Sequence, residues 1–235
     1  MKHMKKLTQN GFTLIELLVA TLVFSVILLL CTYGVLQITR SYYKGLTSSR
    51  TQQAARSVID QISQNIQLGG GTVYPTPAPD PTNNQASCAG SQRYSYRIGQ
   101  KLLDGTNHAM VSDTFTGCNS SPAVQNLTVN GGLTASSREL LAPNMRLAKL
   151  TICTPGPATL ACPIPRAAGL YQVTVRVVYG DDDLLCSPTA NDCSSTSPTL
   201  PAADLLNGDL SCRSLRAGTQ FCAVSELTTQ VQKRI

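Results

Sequence analysis

The stretch KKLTQNGFTLIELLVATLVFSVILLLCTYGVL, Lys5 to Leu36, holds one acidic residue, Glu16, just inside an apolar run. A carboxylate at membrane depth costs about 3 kcal/mol even on lenient insertion scales. Its chemistry there is limited to accepting hydrogen bonds or pairing with a cation, because an unpaired buried charge is costly. The second reactive set is sulfur. Cys31 lies inside the apolar run, and Cys88, Cys118, Cys153, Cys162, Cys186, Cys193, Cys212 and Cys222 all follow Gly71. An even set beyond an apolar segment predicts disulfides in an oxidising, extracytoplasmic space. Eight cysteines allow about a hundred pairings. Sequential neighbours are the expectation: Cys88–Cys118, Cys153–Cys162, Cys186–Cys193 and Cys212–Cys222. Cys31 is expected to pack as a small hydrophobe.

Metal chemistry has little to work with. No C-x-x-C or H-x-x-x-H pair occurs, and the only histidines are His3 and His108, which argues against zinc. Asp181, Asp182 and Asp183 stand together in YGDDDLL. Hard oxygen ligands suit calcium, but three successive carboxylates rarely converge, so a solvated turn is the favoured reading. Tyr42, Tyr43, Tyr94 and Tyr96 could stack on bases. Core and interface packing accounts for them as well. No phosphate-binding loop, dinucleotide fingerprint or nucleophile elbow is present. Neither an enzyme nor a bound cofactor is expected.

The elements that must carry these residues follow from periodicity. Met1 to Gly11 is short and basic, and the lysines Lys2, Lys5 and Lys6 belong on the cytoplasmic side. The apolar helix then runs outward and continues past the membrane. Ala55, Val58, Ile59, Ile62 and Ile66 recur on one helical face, while Arg50, Gln53, Arg56 and Gln64 fall largely on others. The glycines 69–71 end the helix. Phe12 to Leu68 would make one helix of about 57 residues, roughly 85 Å long. YPTPAPDPTNNQ, Tyr74 to Gln85, reads as a loop. Strands are expected in RYSYRIG, MRLAKLTIC, GLYQVTVRVVYG and TQFCAVSEL, and a hairpin turn at Asn130–Gly131. In GLYQVTVRVVYG, Tyr171, Val173, Val175, Val177 and Tyr179 share one face, free to take a helix. The expected fold class is α+β: one long N-terminal helix packed on an antiparallel β-sheet, with disulfide-closed loops. The domain scheme is a leader over 1–11, a transmembrane half-helix over 12–38, an amphipathic half-helix over 39–71, and a β-rich extracytoplasmic domain over 72–235.

The chain has 235 residues, a net charge of +6 and only 14% charged residues, which suits a chain partly in lipid. After Leu36 sixteen basic residues face twelve acidic ones. That excess is too mild to argue for nucleic acid.

GFTLIELLVA, Gly11 to Ala20, resembles the class III signal of type IV pilin-like proteins: a basic leader, a glycine, a phenylalanine, and a glutamate five residues past the glycine. The resemblance implies cleavage between Gly11 and Phe12 by a prepilin peptidase, and methylation of the new Phe12 amine. It implies a pilin fold, and an assembly role for Glu16, whose carboxylate would meet the Phe12 amine of a neighbouring subunit. SYYKGLTSSRTQQAARSVIDQISQNIQLGGG and the tail FCAVSELTTQVQKR look most like PilW/J-type minor pilins and pseudopilins. The function so implied is a structural subunit of a type IV pilus-like filament, with a pseudopilin of type II secretion or DNA uptake as the alternative. The partners implied are other pilins, the prepilin peptidase, the inner-membrane platform protein and the assembly ATPase. The implied location is a single-pass membrane protein, later extracellular in the filament. Adhesion and twitching motility are the activities such filaments serve.

Overall fold

A computed structural model describes residues 12–70, 73–74, 84–102, 107–118, 122–128, 133–154, 169–188, 193, 209–214 and 217–234. The chain divides into two compact units, Met1–Tyr42 and Tyr43–Ile235. One helix, α1 (Leu14–Leu68), supplies residues to both. It contains no proline, and its C-terminal end is set by glycine. Gly69 donates its N–H to the Asn65 carbonyl, and Gly70 adopts a φ of +59°, the left-handed geometry that stops a helix.

In the first unit α1 is apolar all round. Of the residues from Phe12 to Arg40, all but Gly34 are exposed. In the second unit the helix buries one face: Thr47, Thr51, Ala55, Val58, Ile59, Ile62 and Ile66. The five apolar members are those whose spacing marks a helical stripe.

Against this stripe pack two antiparallel sheets, where the sequence suggests one. The first orders five strands consecutively: β1 (Val73–Tyr74), β2 (Asn84–Ala89), β3 (Gln92–Arg97), β4 (Met110–Thr114) and β5 (Arg138–Glu139). The second places β7 (Leu170–Tyr179) between β6 (Met145–Cys153) and β10 (Ala223–Gln232). A ribbon of β8 (Leu185–Cys186) and β9 (Ser211–Cys212) completes the set. The helix face, Tyr94, Tyr96 and Met110 from the first sheet, and Leu147, Val173, Val175 and Val177 from the second form one core. A smaller core of Ala148, Val178, Leu184, Leu185, Leu210 and Cys222 covers the other face of the second sheet. That second face is covered only at its Val178 end; Lys149, Glu226, Thr228 and Gln230 on the rest of it are exposed, the half-burial the sequence suggests.

Local turns fit these layers together. Gly90, between β2 and β3, has a φ of +64°, and a Cβ there would lie 2.6 Å from the Gly69 Cα. The end of α1 and the β2–β3 turn thus approach at backbone contact, which only glycine at both positions permits. The expected turn at Asn130–Gly131 lies outside the described residues.

Disulfides join Cys88 to Cys118, Cys186 to Cys193 and Cys212 to Cys222. Cys153 is also disulfide-bonded; its expected partner Cys162 lies outside the described residues. Cys31 is free. Thiol labelling of the denatured, unreduced chain is therefore expected to tag a single cysteine. Three or more tags would overturn the assignment.

Candidate functional site

The N-terminal end of α1 is closed by its own side chains. Thr13 precedes the first helical residue and Glu16 is the third within the helix. Thr13 N–H and the Thr13 hydroxyl each donate to Glu16 Oε2 at 2.9 Å, and the Glu16 N–H approaches Thr13 Oγ1 at 3.4 Å. This is a capping box, in which a Thr and a Glu three residues on satisfy each other's otherwise orphaned donors. The carboxylate also sits where the helix dipole favours negative charge. The motif is legible as Thr13-x-x-Glu16, and it gives Glu16 a role within its own helix that the apolar context alone does not suggest. Phe12, expected to carry the new amine, is 86% exposed beside this box. Gly11 lies outside the described residues.

The serine and threonine hydroxyls along this part of the helix are satisfied without water. The hydroxyls of Thr21, Ser25, Thr32 and Thr39 donate to the carbonyls of Leu18, Thr21, Leu28 and Val35, at 2.7–3.0 Å. A helix entering lipid must close its polar groups within itself. The exposed side is a continuous apolar surface of Leu, Ile, Val and Phe, far beyond what a water-soluble monomer presents. The helix is long and apolar enough to cross a membrane. What the arrangement offers is a continuous apolar helix surface suited to lipid or to another apolar surface.

The second unit holds the remaining candidates. Tyr94 and Tyr96 are fully buried, so they cannot stack on bases. The Tyr94 hydroxyl accepts a 2.6 Å bond from Asn65, and burial pushes its pKa up to about 12. Tyr42 is exposed, and Tyr43 lies against Phe221 with ring centroids 5.4 Å apart.

The aspartate triplet does not converge. Asp181 and Asp183 are exposed, while Asp182 pairs with the buried Arg146 and lies 3.5 Å from Lys101. Burial pushes the Asp182 carboxyl up, but Arg146 and Lys101 outweigh it and hold it below the usual range. Asp182 is thus a counter-ion to Arg146 and Lys101 in a turn whose three aspartates all stay at least partly exposed, Asp181 lying 3.8 Å from the same lysine, and the calcium candidates share no site. Among the described residues no three His, Cys, Asp or Glu side chains are placed to hold a metal.

Two further polar pairs were not visible in the sequence. Arg93 and Asp113 sit directly opposite each other on β3 and β4, in a two-pronged bond of 3.0 and 2.7 Å. His108 Nδ1 lies 3.1 Å from Glu139 Oε2. Burial raises the Glu139 pKa, opposed by hydrogen bonds from the Met110 and Leu141 N–H groups and by His108. Both pairs are long-range in sequence, so no local spacing announces them.

Residues 6–32 match the family described as the prokaryotic N-terminal methylation motif. No curated protein and no solved structure was found to match the chain. The match takes in the end of the leader from Lys6, then Gly11, Phe12, Glu16 and most of the exposed apolar helix. It supports a type IV pilin or pseudopilin carrying a class III signal, which is a structural and not an enzymatic class. It implies processing by a prepilin peptidase, assembly with pilin subunits, and a membrane-anchored form before assembly.

Proposed function

We propose that the chain is a minor subunit of a type IV pilus-like filament, of the PilW/J-type. The observation that carries this reading is the self-capped, wholly apolar exposed half of α1 behind a methylation motif. Residues 1–11 are the leader, removed by cleavage between Gly11 and Phe12, and Phe12 is then methylated. Residues 12–38 hold the subunit in the membrane and later pack in the filament core. Residues 39–71 join this segment to the domain over 72–235, which faces the exterior. Assembly is driven by an inner-membrane platform protein and an ATPase. Minor status is favoured by the chain length of 235 residues and by the loop insertions.

Glu16 acts in register. On leaving lipid, its carboxylate pairs with the Phe12 amine of the adjacent subunit. Such a buried pair adds little net stability, but it penalises every misaligned packing. The same features suit a pseudopilin of a secretion or DNA-uptake system, so recovery of the chain in sheared surface pili is the discriminating observation.

Processing is tested directly. Mass spectrometry of the mature chain is expected to find methylated Phe12 as the first residue. An intact Met1, or a cut beyond Leu36, would overturn the proposal.

A further inference from the structure

A cleft of about 490 Å³ opens between α1 and the loop closed by Cys212–Cys222. Its polar lining consists of Lys44, Ser48, Ser211, Arg213, Ser214 and Thr219, and no acidic residue lines it among the described residues. We propose that this cleft binds the phosphate of an anionic phospholipid headgroup on the extracytoplasmic face of the membrane. The proposal rests on the reading that the apolar half of α1 is inserted in lipid before assembly.

The chemistry of the lining selects an anion. Two cations and four hydroxyls bring positive charge and hydrogen-bond donors to a common space that no carboxylate lines among the described residues, the pattern that phosphate recognition requires. Arg213 is held in place and not left to wander. It is 2% exposed, its Nε donates to the Leu185 carbonyl at 2.6 Å, and its backbone N–H donates to the Leu184 carbonyl. Lys44, by contrast, is exposed and can close over a ligand. Thr219 opens a short 3-10 turn, Thr219–Phe221, whose Gln220 carbonyl accepts the Thr47 hydroxyl at 3.1 Å. The turn is thereby pinned to the helix that carries Lys44 and Ser48.

Position in the chain selects the source of that anion. Lys44 stands six residues beyond Ile38, the end of the transmembrane half over 12–38. A six-residue tether spans at most about 20 Å whatever its conformation, against a headgroup layer of roughly 5–8 Å on each side of the hydrocarbon. Lys44 and the cleft it lines are therefore held within reach of the headgroups when the run is inserted. Beside it the rings of Tyr43 and Phe221 meet and remain 41% and 42% exposed. Aromatic side chains of this kind settle at the membrane–water boundary. A site for a free anion has no use for them, whereas a lipid brings apolar chains for them to contact.

The test uses the purified full-length chain in a non-ionic detergent. Dihexanoyl phosphatidylglycerol is added below its own micelle concentration, and retention is counted by native mass spectrometry. Dihexanoyl phosphatidylcholine and inorganic phosphate are the comparison ligands. One phosphatidylglycerol per chain is expected, bound in preference to phosphatidylcholine and not displaced by millimolar phosphate. Lys44→Gln and Ser48→Leu, which remove a cation and fill the cleft, are each expected to weaken retention about tenfold. Lys149→Gln, an exposed cation on β6 outside the cleft, is expected to change nothing. Equal retention by wild type and Lys44→Gln, whose exposed side chain is not needed for folding, would overturn the proposal. Displacement by phosphate would overturn the lipid as the source, and equal retention of the two lipids would overturn the charge argument. The readout needs neither cleavage at Gly11 nor a filament, so its failure and the failure of the assembly reading are separate results.

Discussion

Glu16→Ala is expected to insert and to be processed like the wild type, yet to fall at least about a hundredfold in sheared filaments. Removing the carboxylate makes the segment more apolar, so insertion is not impaired. Gly11 and the basic leader are untouched. What is lost is the partner of a neighbouring Phe12 amine, which would then enter an apolar bundle unpaired. Deleting one member of a buried pair costs about 3–5 kcal/mol, or two orders of magnitude and more at about 1.4 kcal/mol per tenfold. The capping box complicates this interpretation, because alanine also removes the acceptor for Thr13 N–H and its hydroxyl. Glu16→Gln separates the two roles. Glutamine serves in a capping box as glutamate does, but it carries no charge for an amine. Glu16→Gln is therefore expected to be depleted nearly as far as Glu16→Ala. Quantifying each variant beside wild type in membranes and in sheared filaments gives the answer. Wild-type incorporation of both would remove Glu16 from assembly. Depletion of the alanine variant alone would assign it to helix capping and not to pairing between subunits.

How much of this was legible depends on the range of the interaction. The buried stripe of α1 could be read residue by residue, because Ala55, Val58, Ile59, Ile62 and Ile66 need only the helical period to find one face. The core face of β7 was equally readable, because Val173, Val175 and Val177 need only the strand period. The division into two sheets was not. It depends on which strands pair, and pairing joins residues far apart: Tyr179 with Met145 on one side and with Ala223 on the other. The RYSYRIG strand shows the limit within one element. Tyr94 and Tyr96 alternate toward the core as expected, but Arg93 and Ser95 are buried too. Their face is covered by the chain that follows β4, where the Gln125 N–H donates to Ser95 Oγ and the Ala123 carbonyl accepts from Arg93. Alternation identifies the two faces of a strand without saying what covers the polar one.

That covered face supports the second large effect. Asp113→Ala is expected to destabilise the domain by about 3–5 kcal/mol, from a total of about 5–15 kcal/mol typical of a folded chain. Asp113 is 1% exposed and Arg93 is 7% exposed. Each nitrogen of the guanidinium is engaged in the native state: Nε and Nη2 on Asp113, Nη1 on the Ala123 carbonyl at 2.8 Å, with its plane over Phe115 at 4.4 Å. The same row across the sheet continues to Cys88, opposite Arg93 on β2, whose disulfide to Cys118 anchors the covering segment. Arg93 therefore has little freedom to swing into water when its carboxylate is removed, and it stays buried with an uncompensated charge. Thr134, whose hydroxyl reaches Asp113 Oδ2 at 3.4 Å, cannot replace an anion. Thermal unfolding of the full chain in detergent, followed by tyrosine absorbance, is expected to show a midpoint lower by roughly 10 °C. The double variant Arg93→Met, Asp113→Leu should recover much of this, because a buried ion pair replaced as a unit by apolar side chains is often neutral. A loss below about 1 kcal/mol for Asp113→Ala would show that water reaches the guanidinium, placing the pair among surface ion pairs, whose worth is about 0–1 kcal/mol. A double variant no more stable than the sum of the two single losses would mean that the two residues hold the covering segment separately and not through each other.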